Sequence, residues 1–520
     1  MTNAEITKKE LLSGNDAIGR GAIEAGISIA TSYPGTPATE ILQYIAANFS
    51  GKAEWAINEK VALETAIGAS YAGKRVICSM KHVGLNVAAD PLMTSAYLGI
   101  KGGLLLVVAD DPGAYSSQNE QDSRIFARFA NIPCLEPADS QEAKDMAIAA
   151  LDLSEKMELP VMLRTLTRVS HALSPVSICE PRKENSLLLE KNPERLLAVP
   201  SNVVRLHKAL NNKQLELKKW AADSGLNKSF KTGNKRGIIA CGITYMYARE
   251  TKGDFDFLKI SAYPFSDDLI KDFVTGLEEV WVLEEGEPVV EEIARKYHPA
   301  IKGKLSGHLS DVGELGPDAL AEALGQATPK KTVDATLLKR PPVLCTGCSH
   351  RELYKSLKAA SPSFTTGDIG CYTLGAMPPL NAMDTCLCMG ASISKAAGMS
   401  QAGATRIAAV IGDSTFLHTG VPALISAVYN RANILVIIMD NSSTAMTGHQ
   451  PTPLTGITAK GAEGGKVSLE DLCRGCGVTS LEVIDPINHE QTEKLIKEKL
   501  DSDGVNVIIS RRPCILIKKR

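Results

Sequence analysis

The sequence predicts an α/β protein made of three open, doubly wound domains. Short apolar segments that read as buried parallel strands alternate with helical stretches rich in Ala and Gly. Aromatic residues are scarce, at 5%, and the 42 glycines suit close packing of helices on sheets. At about 150 residues per domain, a chain of 520 residues has room for three or four domains. These features favour layered α/β domains over an all-β sandwich.

The first domain is predicted to span residues 1–190. Residues 75–80, 104–109 and 161–163 read as buried strands, and residues 60–71 have a helical pattern. Residues 191–236 are rich in Lys, Glu and Asn, and we interpret them as a connecting arm. Its charged amphipathic helix, at residues 214–221, is expected to pack on a neighbouring domain.

Two further domains are predicted at residues 237–333 and 334–520. The smaller one has strands at 237–241 and 279–283 and a helix that begins near Pro288. The last one has strands at 406–411, 434–439 and 505–510.

Charge and hydropathy exclude several classes of function. The 57 Lys and Arg residues balance 59 Asp and Glu residues, so no basic excess indicates a nucleic-acid partner. The longest apolar runs have the length of strands, and the N-terminus has no signal-peptide pattern, so we expect a cytoplasmic protein without a membrane span. In that setting the 12 cysteines are expected to be thiols or metal ligands.

Two strand ends predict a magnesium site. Gly412-Asp413-Ser414 and Asp440-Asn441 each follow an apolar strand, where open α/β sheets bind ligands. Asp413 and Asn441 offer oxygen ligands, and the chain near Ser443 could add another. The thirty residues from Gly412 through Asn441 match the spacing of the thiamine diphosphate motif. Two ordinary strand-to-helix turns would give the same residues, so spacing alone leaves both interpretations open.

Six further segments settle the interpretation as a resemblance. They are SYPGTPATE (32–40), NEKVALETAIGASYAG (58–73), PVLCTGCSHR (342–351), GDIGCYTLG (367–375), DTCLCMGASI (384–393) and DNSSTAMTGHQPTP (440–453). Together they resemble the alpha subunit of indolepyruvate ferredoxin oxidoreductase, in the 2-oxoacid:ferredoxin oxidoreductase superfamily. The resemblance covers nearly the whole chain.

The resemblance implies an architecture and an activity. The three domains would be pyrimidine-binding, transketolase-C-terminal-like and diphosphate-binding, as in other thiamine diphosphate enzymes. With a gamma-type (beta) subunit, the family oxidatively decarboxylates arylpyruvates, passes the acyl unit to coenzyme A and sends electrons to ferredoxin. A dimer of this chain within an α2β2 assembly is expected, because thiamine diphosphate usually lies between two chains.

The resemblance also assigns residues in the first domain. Glu59 matches the glutamate that activates the aminopyrimidine of thiamine, a task for which a buried carboxylate suits. Glu64, a little further along the same helix, serves as the solvated comparison. Thr36 in Tyr-Pro-Gly-Thr-Pro matches the threonine beside the substrate carboxylate. His82 is a weaker catalytic candidate, since a lone His is more often structural.

The last domain carries the other implied cofactor contacts. Asp413, Asn441 and Ser443 are the candidate Mg²⁺ ligands. The candidate thiamine diphosphate contacts are Gly412, Asp413, Ser414, Cys371, Tyr372, Asn441, Thr447, Gly448 and His449. Pyruvate-specific relatives carry Asn where this chain has Met446, and a flexible apolar side chain suits a larger, ring-bearing substrate.

Four cysteines match the ligands of a [4Fe–4S] cluster in the pyruvate enzymes: Cys345, Cys348, Cys371 and Cys514. Zinc binds C-x-x-C pairs equally well, and Cys473 and Cys476 compete as ligands. Cys386 and Cys388 are expected in the core. The ferredoxin-like run C-x-x-C-x-x-C-x-x-x-C-P is missing from these 520 residues, so we expect electrons to leave through another subunit or carrier. A non-oxidative thiamine-dependent decarboxylase, and a zinc or thiol binding module on an inactive thiamine fold, remain as alternatives.

Overall fold

The structure is a computed structural model that describes residues 8–326 and 342–517. It divides into two compact units, Met1–Thr332 and Val333–Arg520. The predicted domain boundaries after residues 190 and 236 fall inside the first unit and stay predictions. The one after residue 333 lies outside the described residues.

The first unit is organised around a seven-stranded sheet that is parallel except at one edge. Its strands, in spatial order, are Ala262–Tyr263, Cys134–Leu135, Val161–Leu166, Leu104–Asp110, Val76–Lys81, Ile29–Ser32 and Lys52–Trp55. Only the Ala262–Tyr263 pairing is antiparallel. The central strands are completely buried, which explains their continuous apolar sequences.

Helices pack on this sheet, and four of them begin after a residue whose side chain accepts a hydrogen bond from the first turn. They are Gly14–Glu24, Thr39–Asn48, Glu59–Tyr71, His82–Val87, Ala89–Leu98, Ser123–Ala130, Ser140–Met157 and Thr167–His171. The Asn58 side chain caps the helix Glu59–Tyr71 by accepting a hydrogen bond from the Val61 amide at 2.9 Å. Because the cap fixes the first turn, it also fixes the position of Glu59.

A second sheet of the first unit has five strands. Their order is Ile301–Lys302, Glu279–Leu283, Arg236–Cys241, Asp256–Ile260 and Lys228–Phe230, with only the last strand antiparallel. Its helices are Thr244–Glu250, Asp268–Val274, Val289–Ala294 and Pro317–Ala323. Buried ion pairs connect it to the first sheet, since Arg124 contacts Glu284 at 2.9 Å. Lys8–Leu12 and Ser174–Ile178 form a separate antiparallel pair.

The connecting arm contains the short helix Pro193–Leu196 and a longer helix, Pro200–Asp223. The longer helix includes the predicted segment 214–221 and extends fourteen residues further toward the N-terminus. Its apolar face, with Leu210, Leu217 and Ala221, joins the core of the seven-stranded sheet. The helix therefore packs on the first unit through its apolar face, and its assignment to an arm between domains stays a prediction.

The second unit contains one five-stranded parallel sheet. The strand order is Phe364–Thr366, Ile407–Gly412, Ile434–Asp440, Val505–Arg511 and Ser480–Ile484. Its helices are Ser349–Ala360, Cys371–Ala376, Ala391–Gln401, Asp413–Thr415, Phe416–Gly420, Val421–Tyr429, Leu469–Gly475 and His489–Leu500. Cysteine-bearing segments thus flank the sheet.

The predicted fold class is confirmed, because three mostly parallel sheets with helices around them account for the described chain. Within residues 8–326 and 342–517, every helix is too short or too polar to cross a membrane.

Candidate functional site

The glutamate edge is the carboxyl end of the seven-stranded sheet, and it carries Thr36, Glu59, Lys81 and His82. Glu59 begins a helix just after the strand Lys52–Trp55 and is only 5% exposed. Ligands of open α/β sheets bind at this end of the strands. A carboxylate without solvent around it is suited to holding a proton on a bound ring.

Gly84 lies directly against the Glu59 carboxylate. A Cβ atom added to Gly84 would be 2.4 Å from Glu59 Oε1, closer than atoms in contact allow. Glu64, on the same helix, instead has a side chain that is 47% exposed and forms an ion pair with Lys60. The two glutamates therefore have the contrasting surroundings that the sequence predicted.

Thr36 lies in the loop that follows the strand Ile29–Ser32. The peptide between Thr36 and Pro37 is cis. The Gly35 amide donates to Thr39 Oγ1 at 3.0 Å, and Ser116 Oγ donates to the Thr36 carbonyl at 3.3 Å. The predicted loop is thus held at the edge where Glu59 lies.

Lys81 is the last residue of the strand Val76–Lys81, and His82 begins the helix that follows it. His82 Nε2 lies 3.2 Å from both the carbonyl and the side-chain oxygen of Asn119, so this nitrogen carries the proton. Its Nδ1 is buried and has no partner among the described residues. Asn119 thus holds one ring nitrogen of His82, and the other faces the interior without a partner among the described residues.

The aspartate edge is the carboxyl end of the five-stranded sheet of the second unit, and it carries Asp413, Asp440, Asn441 and Ser443. The strands Ile407–Gly412 and Ile434–Asp440 pair in parallel with Gly412 opposite Met439. This register places the two predicted motif segments side by side. Thr444 Oγ1 donates to Ser414 Oγ at 3.0 Å and ties their loops together.

The two carboxylate oxygens of Asp413 have different surroundings. It is 3% exposed, and its Oδ1 accepts from the Ser414 amide at 2.8 Å. Its Oδ2 is buried without a hydrogen-bond partner among the described residues. Burial, and then the neighbouring Asp440 carboxyl, raise the pKa of Asp413 to about 8. Asp440 is engaged elsewhere, because Arg511 Nε donates to its Oδ2 at 2.6 Å.

Asn441 connects several parts of the aspartate edge. Its Oδ1 accepts from the Ser443 amide at 3.1 Å, and its Nδ2 lies 3.2 Å from His350 Nε2. Burial lowers the pKa of His350 to about 4, so His350 is neutral and accepts this bond. The Cys514 amide donates to the Asn441 carbonyl at 3.0 Å.

The loop after Asn441 holds the remaining predicted contacts. Thr447 Oγ1 donates to Gln450 Oε1 at 2.5 Å, and His449 Nδ1 lies 3.4 Å from Ser443 Oγ. Gly448 has a φ of +117°, a conformation that L side chains rarely adopt. The loop is therefore closed on itself beside Ser443.

Tyr372 packs beneath the turn at Gly412. A Cβ atom on Gly412 would be 2.5 Å from Tyr372 Cε1, and the Tyr372 hydroxyl donates to the Ile369 carbonyl at 2.9 Å. In this structure Tyr372 therefore supports the Asp413 turn.

The four predicted cluster cysteines are neighbours. Burial, and then the charges of the other three thiols, raise the pKa of Cys371 to about 11. Among the described residues, no three His, Cys, Asp or Glu side chains converge as they would around a single ion. The three other thiols thus lie near Cys371, but within residues 8–326 and 342–517 the structure does not gather three such side chains around one point.

The other cysteines have different surroundings. Cys473 and Cys476 are buried in the apolar core of the second unit, and burial raises the pKa of Cys473 to about 12. The prediction that Cys386 and Cys388 pack in the core is wrong. Both are exposed, in an irregular segment whose Leu387 is also exposed.

Three residues at these edges were not predicted from the sequence: Lys81, His350 and Asp368. Asp368 is buried and accepts from the Gly390 and Ser392 amides at 2.7 and 3.0 Å, so it shapes the loop before the helix Ala391–Gln401. Lys81 had a visible signal, a charged residue at the end of a strand whose other residues carry no charge. His350 had none, since its partner is 91 positions away.

Known proteins resemble the chain along both units. The family model described as pyruvate flavodoxin/ferredoxin oxidoreductase, thiamine diphosphate-binding, matches residues 20–229. The one described as thiamine pyrophosphate enzyme, C-terminal TPP binding domain, matches residues 368–510. The first contains the glutamate edge and the second contains Asp413 and Asn441.

Curated relatives extend this likeness to nearly the full chain. Indolepyruvate oxidoreductase subunit IorA of Archaeoglobus fulgidus is 42% identical over 99% of this chain and 88% of its own length. The chain belongs to the indolepyruvate oxidoreductase IorA family. The IorA proteins of Methanothermobacter thermautotrophicus and Pyrococcus abyssi are 40% and 42% identical, over 99% and 98% of this chain.

Membership of the IorA family confirms the predicted enzyme class. The chain is a subunit of the thiamine diphosphate-dependent 2-oxoacid:ferredoxin oxidoreductase type. As an IorA-type subunit, it has a place in a multi-subunit oxidoreductase.

Proposed function

We propose that this chain is the subunit that decarboxylates aryl 2-oxoacids, with indolepyruvate or phenylpyruvate as substrates and the aryl-acetyl-CoA as product. The observation that carries the proposal is the 42% identity with an IorA subunit over 99% of the chain. The residues at the two edges support it, because each offers a group that such a reaction needs.

The aspartate edge fits Mg²⁺ and a diphosphate. The orphaned Asp413 Oδ2 is a buried oxygen that needs a cation, and carboxylate, amide and hydroxyl oxygens are the ligands that Mg²⁺ accepts. Asp413, Asn441 and Ser443 would hold the ion. Ser414, Thr447, Gly448 and His449 would contact the diphosphate from the adjoining turn and loop.

Bound thiamine diphosphate supplies the carbon nucleophile and the electron sink for decarboxylation. Glu59 would hold a proton at the aminopyrimidine ring, where its burial and the contact with Gly84 restrict its position. His82 Nδ1 would accept a proton at the same edge. Thr36 would contact the substrate carboxylate.

The cysteines at residues 345, 348, 371 and 514 would hold a [4Fe–4S] cluster. The three other thiols act on Cys371 and so lie near it, and a set of four thiols is the usual ligand set of such a cluster. The Cys514 amide donates to Asn441, so a ligand segment of the cluster contacts a Mg²⁺ ligand directly. Electrons could then leave the reacting centre over a short path.

The proposed assembly is a cytoplasmic α2β2 complex with a gamma-type (beta) partner subunit. Coenzyme A would accept the acyl group, and ferredoxin or another carrier protein would accept the electrons. No nucleic-acid partner is proposed, since the chain has no basic excess.

The test is an anaerobic assay of the chain co-expressed with its partner subunit. Indolepyruvate, coenzyme A, Mg²⁺ and thiamine diphosphate should give carbon dioxide, indoleacetyl-CoA and reduced viologen dye. Indoleacetaldehyde without dye reduction would instead establish the non-oxidative decarboxylase. A colourless, zinc-loaded protein would contradict the cluster.

A further inference from the structure

Lys81 is a buried cation without an acidic partner. It is 7% exposed, and its Nζ donates to the Ser116 carbonyl at 2.6 Å. No carboxylate of the described residues lies within ion-pair distance of its Nζ. An ammonium group has three N–H donors, so two remain for another acceptor. Because a buried unpaired charge is costly, the site favours an anion.

The Lys81 side chain packs against the loop that carries Thr36. A Cβ atom on Gly35 would be 3.1 Å from the Lys81 Cβ, so the lysine stem runs along this loop. Ser116 contacts both residues, since its carbonyl accepts from Lys81 and its hydroxyl donates to the Thr36 carbonyl at 3.3 Å. Lys81 and Thr36 are thus joined through one serine.

Asp111 is a charged neighbour of Lys81, but its carboxylate oxygens already accept several hydrogen bonds. Its carboxylate accepts from the Ser116 amide at 2.9 Å, Ser117 Oγ at 2.6 Å and Thr167 Oγ1 at 2.8 Å. Burial lowers the pKa of Lys81 to about 8, and Asp111 opposes this shift. Lys81 is therefore mostly a cation at neutral pH and open to a second anion.

We propose that Lys81, linked through Ser116 to Thr36 at the glutamate edge, binds the carboxylate of the 2-oxoacid substrate. The inference rests on the proposed function only in requiring a 2-oxoacid. Every 2-oxoacid has this carboxylate, so Lys81 contributes to binding of the whole substrate class, and preference for an aromatic ring arises elsewhere. Since the carboxylate leaves as carbon dioxide, the contact acts on KM more than on kcat.

The experiment compares an acid with its neutral analogue. Inhibition constants for 3-indolepropionate and 3-indolepropionamide are measured on the complete complex carrying wild-type chain, Lys81→Met or Lys81→Arg. The wild type should prefer the acid, and Lys81→Met should weaken only the acid, by about ten- to a hundredfold. Lys81→Arg should recover part of the preference. KM for 2-oxoacids should rise by a similar factor.

Lys74→Met is the matched control. Lys74 precedes the same strand at its opposite end and forms an ion pair with Glu184 at 3.2 Å. This variant should leave the preference for the acid unchanged. Thermal melting and thiamine diphosphate affinity are measured for each variant.

Two results would overturn the proposal. One is an equal loss of acid and amide binding in Lys81→Met, and the other is a fall in cofactor affinity by the same factor as KM. Either result would make Lys81 a support for the Ser116 loop. Turnover of a panel of aryl and non-aryl 2-oxoacids tests the proposed substrate class and the Lys81 contact separately. If the proposed class is wrong, aryl 2-oxoacids will not be the best substrates of the wild type. If Lys81 binds the carboxylate, Lys81→Met raises KM for all members of the panel alike.

Discussion

The glutamate edge and the aspartate edge have the same arrangement of strands and buried acids, but the charges around the acids differ. Both lie at the carboxyl ends of buried parallel strands, and both present an acid that is almost fully buried. Glu59 contacts Gly84 and lies on the edge that also carries the Lys81 cation. Asp413 instead lies beside a second carboxyl and has an oxygen without a partner. The first edge thus carries a cation that suits an added anion, whereas at the second edge Arg511 is paired with Asp440 and the Asp413 carboxyl suits an added cation.

The sharpest test of this difference is Asp413→Asn. Removing the carboxylate removes the proposed anionic ligand of Mg²⁺, so activity should fall by more than about a thousandfold and cofactor binding should be lost. Calorimetric titration of thiamine diphosphate with and without Mg²⁺ measures this. Asp485→Asn, an exposed acid paired with Arg512, is the control. Normal Mg²⁺-dependent binding in Asp413→Asn would contradict the assignment.

Glu59→Gln should separate catalysis from binding. The amide keeps the shape of the side chain and cannot exchange a proton, so kcat should fall by about a hundredfold or more while thiamine diphosphate still binds. Glu64→Gln on the same helix should behave as wild type, because that side chain is exposed. Near-normal turnover of Glu59→Gln would remove Glu59 from the mechanism.

The cysteines extend the comparison to the two candidate sources of cluster ligands, the set that includes Cys371 and the pair Cys473 and Cys476. Cys371→Ser should lose most of the iron and the absorbance near 400 nm, and dye reduction should fall by at least about tenfold. Cys473→Ser should keep the iron, because Cys473 lies in the apolar core. Iron analysis after anaerobic purification shows which of the two variants loses iron. Equal iron loss in both variants would reject the assigned ligand set.

The smallest expected effect concerns Met446, which is 49% exposed in the loop after Asn441. Met446→Asn should lower the ratio of kcat/KM for indolepyruvate over pyruvate by about fivefold, because one apolar contact contributes about 1–3 kcal/mol and this half-exposed side chain should give the lower end of that range. Met246→Asn, on an exposed helix position of the first unit, is the control. A ratio unchanged in Met446→Asn would place aryl preference elsewhere.

The predictable parts of the fold and site were those encoded locally. Continuous apolar runs identified the buried strands Leu104–Asp110 and Ile434–Asp440 to within one residue, and strand-end acids identified Asp413. Only the folded chain revealed that Gly84 contacts Glu59 or that His350 contacts Asn441, because these contacts join distant positions. An apolar composition misled at Cys386 and Cys388, where the segment is exposed. The helix Pro200–Asp223 was predicted too short, since its buried apolar face also includes Leu206 and Leu210, which precede the predicted segment.

The contact between Gly84 and Glu59 has an evolutionary consequence. A single methyl group at position 84 would collide with the carboxylate, so the two positions cannot vary independently. Natural substitutions that enlarge residue 84 should therefore occur only in lineages that have also replaced or moved the glutamate. We therefore expect a glycine at this position to accompany the glutamate in those relatives that keep the carboxylate where it lies here.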